Sequence, residues 1–248
     1  MRSDAAAQHL LAPPCRRALA PATPLSRFSL LLDPDHFGDV AFFTELREMG
    51  YADVLLGGTG CHRLPALVAE IRRATDLRVI LYPSGPDAVC EADLLVMPDI
   101  MNSRAPHARP FGPGAVMTAL AIARTGCPWL SVAHFIQGQS TARWFYEAEP
   151  IRDDGLLAHH CRYAEMVGYR NIALDYEDPT TQVDTETIVR IKKSAPRCHL
   201  TVSDEVSPMR AYELAQHGVD TVILPSNVLE AAADPLALAH RYRTRLFE

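Results

Sequence analysis

Asp33-Pro34-Asp35-His36 follows directly on the apolar run FSLLL, so two carboxylates and an imidazole stand where a buried strand would reach solvent. The pattern repeats along the chain. Thr59 follows the glycines of ADVLLGGT, Ser84 and Gly85 follow LRVILYP, Asn102, Ser103 and Arg104 follow ADLLVMPDIM, and Asp175-Tyr176 ends NIALDY. A carboxylate beside a hydroxyl makes a weak, open Mg²⁺ site, because Mg²⁺ prefers oxygen ligands, keeps several waters and is completed by substrate phosphates. Asp33 with Thr59 suits that chemistry, and equally Asp-Pro after a strand is a turn or capping device, with Asp35 or His36 capping a helix that begins near Asp39. His134, in WLSVAHF, is either a hydrogen-bonded core histidine or a base facing the interior. Arg104 and Arg109, in NSRAPHARP, are either diphosphate contacts, for which a planar guanidinium is well shaped, or solvated loop residues. His159-His160 reads as the surface of an amphipathic helix.

These residues must be held by whatever elements the apolar runs form. Runs of four to eight residues alternate with amphipathic stretches of ten or more, which predicts repeated βαβ units and a parallel sheet. Strand candidates begin near residues 28, 53, 78, 93, 129, 171, 198 and 220. Eight such units predict a single (β/α)8 TIM barrel, with polar groups at the C-terminal strand ends converging on one rim. The open doubly wound sheet fits less well, since GGTGCH is a poor version of its glycine-rich turn. Residues 83–91 are too short and polar for an outer helix, so the third βα connection is expected to be shortened or irregular. A chain of 248 residues with 48% hydrophobic residues is sized for one such domain, residues 26–248, preceded by a mobile Ala/Pro-rich arm over residues 1–25.

Composition excludes several classes. A net charge of −6 leaves no basic stripe for nucleic acid. The six cysteines are scattered without a CxxC pair, as expected of reduced thiols in a cytoplasmic chain. No apolar run approaches the roughly 18 residues of a membrane span.

The ordered series DPD, ADVLLGGT, LYPSG, ADLLVMPDIMNSR, STARWFYEAEPI and AHHCRYAEMVGY resembles the geranylgeranylglyceryl phosphate synthase and PcrB family of barrel prenyltransferases, from about Phe28 to Glu230. The resemblance implies Mg²⁺-dependent transfer of an isoprenoid chain from a prenyl diphosphate to a hydroxyl of sn-glycerol 1-phosphate, in a protein that forms a homodimer. By the same resemblance Asp33 and Thr59 bind Mg²⁺-diphosphate, Asn102 and Ser103 line the substrate groove, and Asp175 orients or deprotonates the acceptor; Arg104, Ser84 and Gly85, from their own place at the rim, are expected at the substrate as well. Mg²⁺ neutralises the leaving diphosphate, and a hydroxyl attacks as a carboxylate takes its proton.

The family's phosphate-binding glycines are missing. Ala173 replaces the tyrosine of its YLE segment, Glu177-Asp178-Pro179 the Gly-Ser-Gly after it, Ser203-Asp204-Glu205 the later GGG, and Ser226-Asn227 the GN after strand eight. A carboxylate within about 4 Å of a phosphate costs roughly 1–4 kcal/mol per charge pair. Asp204 and Glu205 are alternatively the start of the seventh helix. The expected activity is therefore prenyl transfer to a small acceptor other than plain glycerol phosphate, with Asp175 and Tyr176 facing it and Ser203 and Asn227 at the substrate. The alternatives are a glycerol-phosphate prenyl ether synthase and a non-catalytic prenyl-lipid-binding barrel. Trp144, Phe145 and Tyr146 are expected in a β-ribbon beside the mouth, either as packing residues or as a ligand contact.

Overall fold

The computed structural model describes residues 25–58, 64–177 and 181–247. Most of the Ala/Pro-rich arm, Thr59, and Asp178-Pro179 lie outside the described residues. Eight parallel strands close into a barrel in chain order: β1 (Phe28–Leu32), β2 (Asp53–Gly58), β3 (Arg78–Pro83), β4 (Leu94–Ile100), β5 (Trp129–Ile136), β6 (Asn171–Tyr176), β7 (His199–Asp204) and β8 (Thr221–Leu224). Closure is made by β1 on β8, with Phe28 opposite Val222 and Leu30 opposite Leu224.

The strands read as near-continuous apolar runs because both faces are covered. One set, including Leu55, Ile80, Val96, Val132, Ala173 and Ile223, points into the lumen. The alternate set, including Val54, Leu56, Leu81, Ile172, Leu174 and Val202, packs under the surrounding helices. At the N-terminal end of the barrel the buried Asp53 carboxylate accepts from Ser26 and Ser29, so its charge is fully engaged. The opposite rim is left for chemistry.

The helices are α1 (Val40–Glu48), α2 (Leu64–Ala74), α3 (Pro113–Thr125), α4 (Thr141–Phe145), α5 (Asp154–Val167), α6 (Thr185–Ser194), α7 (Pro208–Gln216), α8 (Ser226–Glu230) and α9 (Pro235–Phe247). The third connection is short, as expected: only a 3-10 turn over Pro86–Ala88 joins β3 to β4. Asp39 caps α1 by accepting from the Ala41 N–H, and neither Asp35 nor His36 does so.

Two expectations are corrected. Residues 141–145 form helix α4, capped by Ser140, in place of a β-ribbon; only a single antiparallel bridge, Ser103 with Ala148, follows it. Asp204 and Glu205 do not start the seventh helix. Asp204 closes β7, and α7 begins at Pro208, where Ser207 caps and proline's fixed φ suits the first turn. No helix among the described residues is long and apolar enough to cross a membrane.

Candidate functional site

The inward stripe does not fill the barrel. A cavity of about 140 Å³ runs through the lumen, walled by Leu31, Leu55, Val96, Val132, Ala173 and Ile223. A slot of about 200 Å³ between α3 and the 3-10 turn shares Ser84 and Tyr146 with it. An open mouth of about 420 Å³, over the ends of β1, β6 and β8, shares Leu31 and Glu177.

Polar groups crown the lumen. The Tyr82 hydroxyl is 2.8 Å from His134 Nδ1, and His134 Nε2 lies 3.9 Å from Asp175 Oδ2. Burial pulls the imidazole down to about 4, so it is neutral at physiological pH. Burial pushes the Asp175 carboxyl up to about 6, although the Glu177 N–H (2.9 Å) and the Ser140 hydroxyl both donate to it. Glu177 is held well above the usual carboxylate range, first by desolvation and then by the Asp175 charge, with the Ser203 hydroxyl (3.0 Å) opposing. The backbone there is tightly set. Gln137 and Gly138 donate their N–H groups to the Asp175 carbonyl (2.7 and 3.0 Å), and a Cβ on Gly138 would lie 2.9 Å from the Glu177 nitrogen.

The mouth collects carboxylates. Asp33, Glu177, Glu205 and Glu230 line it together with His36, whose Nε2 is 3.7 Å from Glu230. Asp33 makes the turn allowed for it: its Oδ1 accepts from the Asp35 N–H and its carbonyl from His36 and Phe37. Its own N–H donates to Ser226 Oγ, which brings β1 and α8 to one corner of the mouth. Among the described residues no three His, Cys, Asp or Glu side chains converge closely enough to hold a metal ion by themselves.

The other expected site residues divide. Ser84 lines both lumen and slot, Gly85 the slot, Ser203 the lumen and Asn227 the mouth. Asn227 donates to Glu205. Asn102, Ser103 and Arg104 line none of the three spaces. Asn102 donates to the carbonyls of Ile136 and Glu149 and accepts from the Ile136 N–H. Ser103 donates to the Tyr146 carbonyl at 2.6 Å, and Arg104 pairs with Glu149 at 2.7 Å. They clasp the segment that carries Tyr146, whose hydroxyl reaches the Ser84 carbonyl at 3.3 Å. Arg109 is exposed on its loop. Tyr176 is corrected as well: one residue beyond Asp175 it points outward, buried in the layer under the helices. Trp144 is 77% exposed, while Phe145 lines the slot and Tyr146 both slot and lumen.

Residue-by-residue reading of the strand exits overlooked Tyr82. The signal is in RVILYP: Ile80 and Tyr82 are two residues apart and share a face, so an inward Ile80 implies an inward tyrosine at the rim. Closure of the barrel, which brings Tyr82 to His134, was not visible locally.

The fold and site define a class: a (β/α)8 barrel with an apolar lumen beneath a carboxylate-bearing rim. The chain is similar in sequence to geranylgeranylglyceryl phosphate synthases. It is 24% identical over 203 residues to the geranylgeranylglyceryl phosphate synthase of Methanococcus vannielii, covering 79% of each chain. It is 28% identical over 196 residues to that of Thermofilum pendens, covering 75% of each. The fold is similar to the crystal structure of (S)-3-O-geranylgeranylglyceryl phosphate synthase from Thermoplasma acidophilum in complex with substrate sn-glycerol-1-phosphate, with a TM-score of 0.78, 18% identity and coverage of 89% of this chain and 93% of that one. No protein-family model matches.

Proposed function

We propose that the protein is a prenyltransferase that moves an isoprenoid chain of the farnesyl or geranylgeranyl class from a prenyl diphosphate, with Mg²⁺, to a small acceptor other than plain sn-glycerol 1-phosphate. The observation that carries this reading is Asp175, a carboxylate of raised proton affinity at the top of an apolar cavity. A hydrocarbon chain needs the cavity, and a proton must leave the acceptor as the new bond forms. The relatives named above, all geranylgeranylglyceryl phosphate synthases, support the reaction class.

The lumen alone matches the volume of benzene-sized cavities of about 150 Å³. A long prenyl chain therefore extends past Ser84 and Tyr146 into the slot. Mg²⁺ asks for only one or two carboxylates when waters and substrate phosphates complete its shell, so the Asp33 carboxylate at the mouth fits it despite the missing three-residue cage. When bound, the ion would neutralise charge on the leaving diphosphate. Asp33 would hold it at the mouth, Tyr146 would separate tail from head, and Asp175 would accept the acceptor's proton. Glu205 would repel a phosphomonoester placed beside it.

The test is calorimetric titration of farnesyl and geranylgeranyl diphosphate with and without Mg²⁺. Mg²⁺-dependent binding, weakened at least tenfold in Asp33→Asn, is expected. A wild type that binds neither compound overturns the donor half, and a wild type that binds but turns over no acceptor is a lipid-binding barrel. The bound sn-glycerol-1-phosphate of the Thermoplasma structure favours a second reading, a glycerol-phosphate ether synthase. Titration of sn-glycerol 1-phosphate decides between them: tight binding to the wild type favours the second.

A further inference from the structure

We propose that His134 is a second catalytic residue: its Nε2–H and the Asp175 Oδ2 form a fork that seats the attacking hydroxyl of an alcohol acceptor, with Tyr82 as the positioning residue that selects the imidazole tautomer. The inference rests on the prenyl-transfer reading for its reaction and on geometry for its site.

The two fork atoms come from adjacent strands, β5 and β6, and both residues face the lumen. They stand 3.9 Å apart, too far for a direct hydrogen bond. An oxygen placed about 2.8 Å from each would subtend an angle of about 90° between them, within reach of a hydroxyl that accepts from one side and donates to the other. A hydroxyl does both; an ether or an ammonium does only one.

Proton placement follows from the neighbours. Tyr82 lies 2.8 Å from Nδ1, and a hydroxyl donating there leaves the single proton of a neutral imidazole on Nε2, directed at the fork. Burial keeps the ring neutral, so His134 holds the acceptor oxygen without forming an ion pair that would consume the Asp175 charge. Asp175 is itself oriented by the Glu177 N–H and the Ser140 hydroxyl. In the step, the allylic C–O bond of the donor breaks and its electron pair leaves with diphosphate. A lone pair of the acceptor oxygen forms the new C–O bond, and the hydroxyl proton passes to Asp175 and afterwards to solvent. The product is an ether.

The experiment is nitrogen NMR of the full chain with ¹⁵N-labelled histidine, titrated with glycerol and with sn-glycerol 1-phosphate as hydroxyl probes, with and without farnesyl diphosphate and Mg²⁺. A neutral Nε2–H tautomer is expected for His134, with the Nε2 resonance moving on probe addition and Nδ1 staying still. Asp175→Asn should weaken that probe response at least tenfold, and Tyr82→Phe should mix the tautomers. A bare Nε2, or no movement at saturating glycerol, overturns the fork. The wild-type spectra decide should a variant fail to fold. If the probes move Nε2 while farnesyl diphosphate does not bind, the fork stands and the prenyl-transfer reading falls; the converse result separates them the other way.

Discussion

Asp175 and Glu177 sit two residues apart, and their environments assign them different work. Burial raises Asp175 to about 6, and burial first, then the Asp175 charge, holds Glu177 well above the usual carboxylate range. The base form of Asp175 appears as pH passes about 6. The rate with an alcohol acceptor is expected to climb through that region, and Asp175→Asn to abolish the limb in a pH–rate profile. Glu205→Gln removes one charge from the mouth at unchanged shape. With roughly 1–4 kcal/mol at stake per charge pair, the affinity for sn-glycerol 1-phosphate, measured by calorimetry, is expected to rise at least fivefold. The Asp175 position was legible in NIALDY as a carboxylate at a strand exit. Tyr176 was misplaced because side chains on a strand alternate faces.

At the scale of elements, the Asn102-Ser103-Arg104 segment shows polar residues spent on architecture. Asn102 engages three backbone groups at the ends of β5 and of the segment after α4. Asn102→Ala strands these groups, at a cost of about 1–3 kcal/mol. Arg104 and Glu149 are mostly exposed, with side-chain exposures of 70% and 58%, so Arg104→Ala is expected to cost under about 1 kcal/mol. Urea unfolding of the two variants checks the contrast; equal losses would mean that the clasp is held by charge. A sequence motif names the residues at a strand exit but not which backbone groups await them. Those groups came from β5 and the turn after α4, more than thirty residues away.

For the molecule as a whole, the unexpected stability lever lies outside the site. Asp204 is fully buried on the outer side of β7, and neither carboxylate oxygen makes a close hydrogen bond. Burial pushes it up to about 7; the Glu205 and Val183 N–H groups and the Arg210 guanidinium oppose this, while the Glu205 charge adds to it. A folded state that binds this proton more tightly than the unfolded chain gains stability below the ordinary carboxylate range. That gain is lost as pH rises toward 7. Asp204→Asn is therefore expected to raise stability at pH 8 by on the order of 2 kcal/mol and to leave it nearly unchanged at pH 4. Thermal melts at the two pH values measure this, and a variant no more stable at pH 8 than the wild type would refute it.

The sequence by itself determined the barrel, its eight strands, the short third connection and the carboxylates of the rim, because each depends on local periodicity or on the residue that ends a strand. Only the tertiary structure decided which rim groups meet. Tyr82 and His134 are 52 residues apart and touch because strands from different parts of the chain converge on one lumen. The same packing decided protonation: Asp175 and His134 hold unremarkable titratable groups as sequence, and the desolvation that moves them toward each other's range exists only inside the closed barrel.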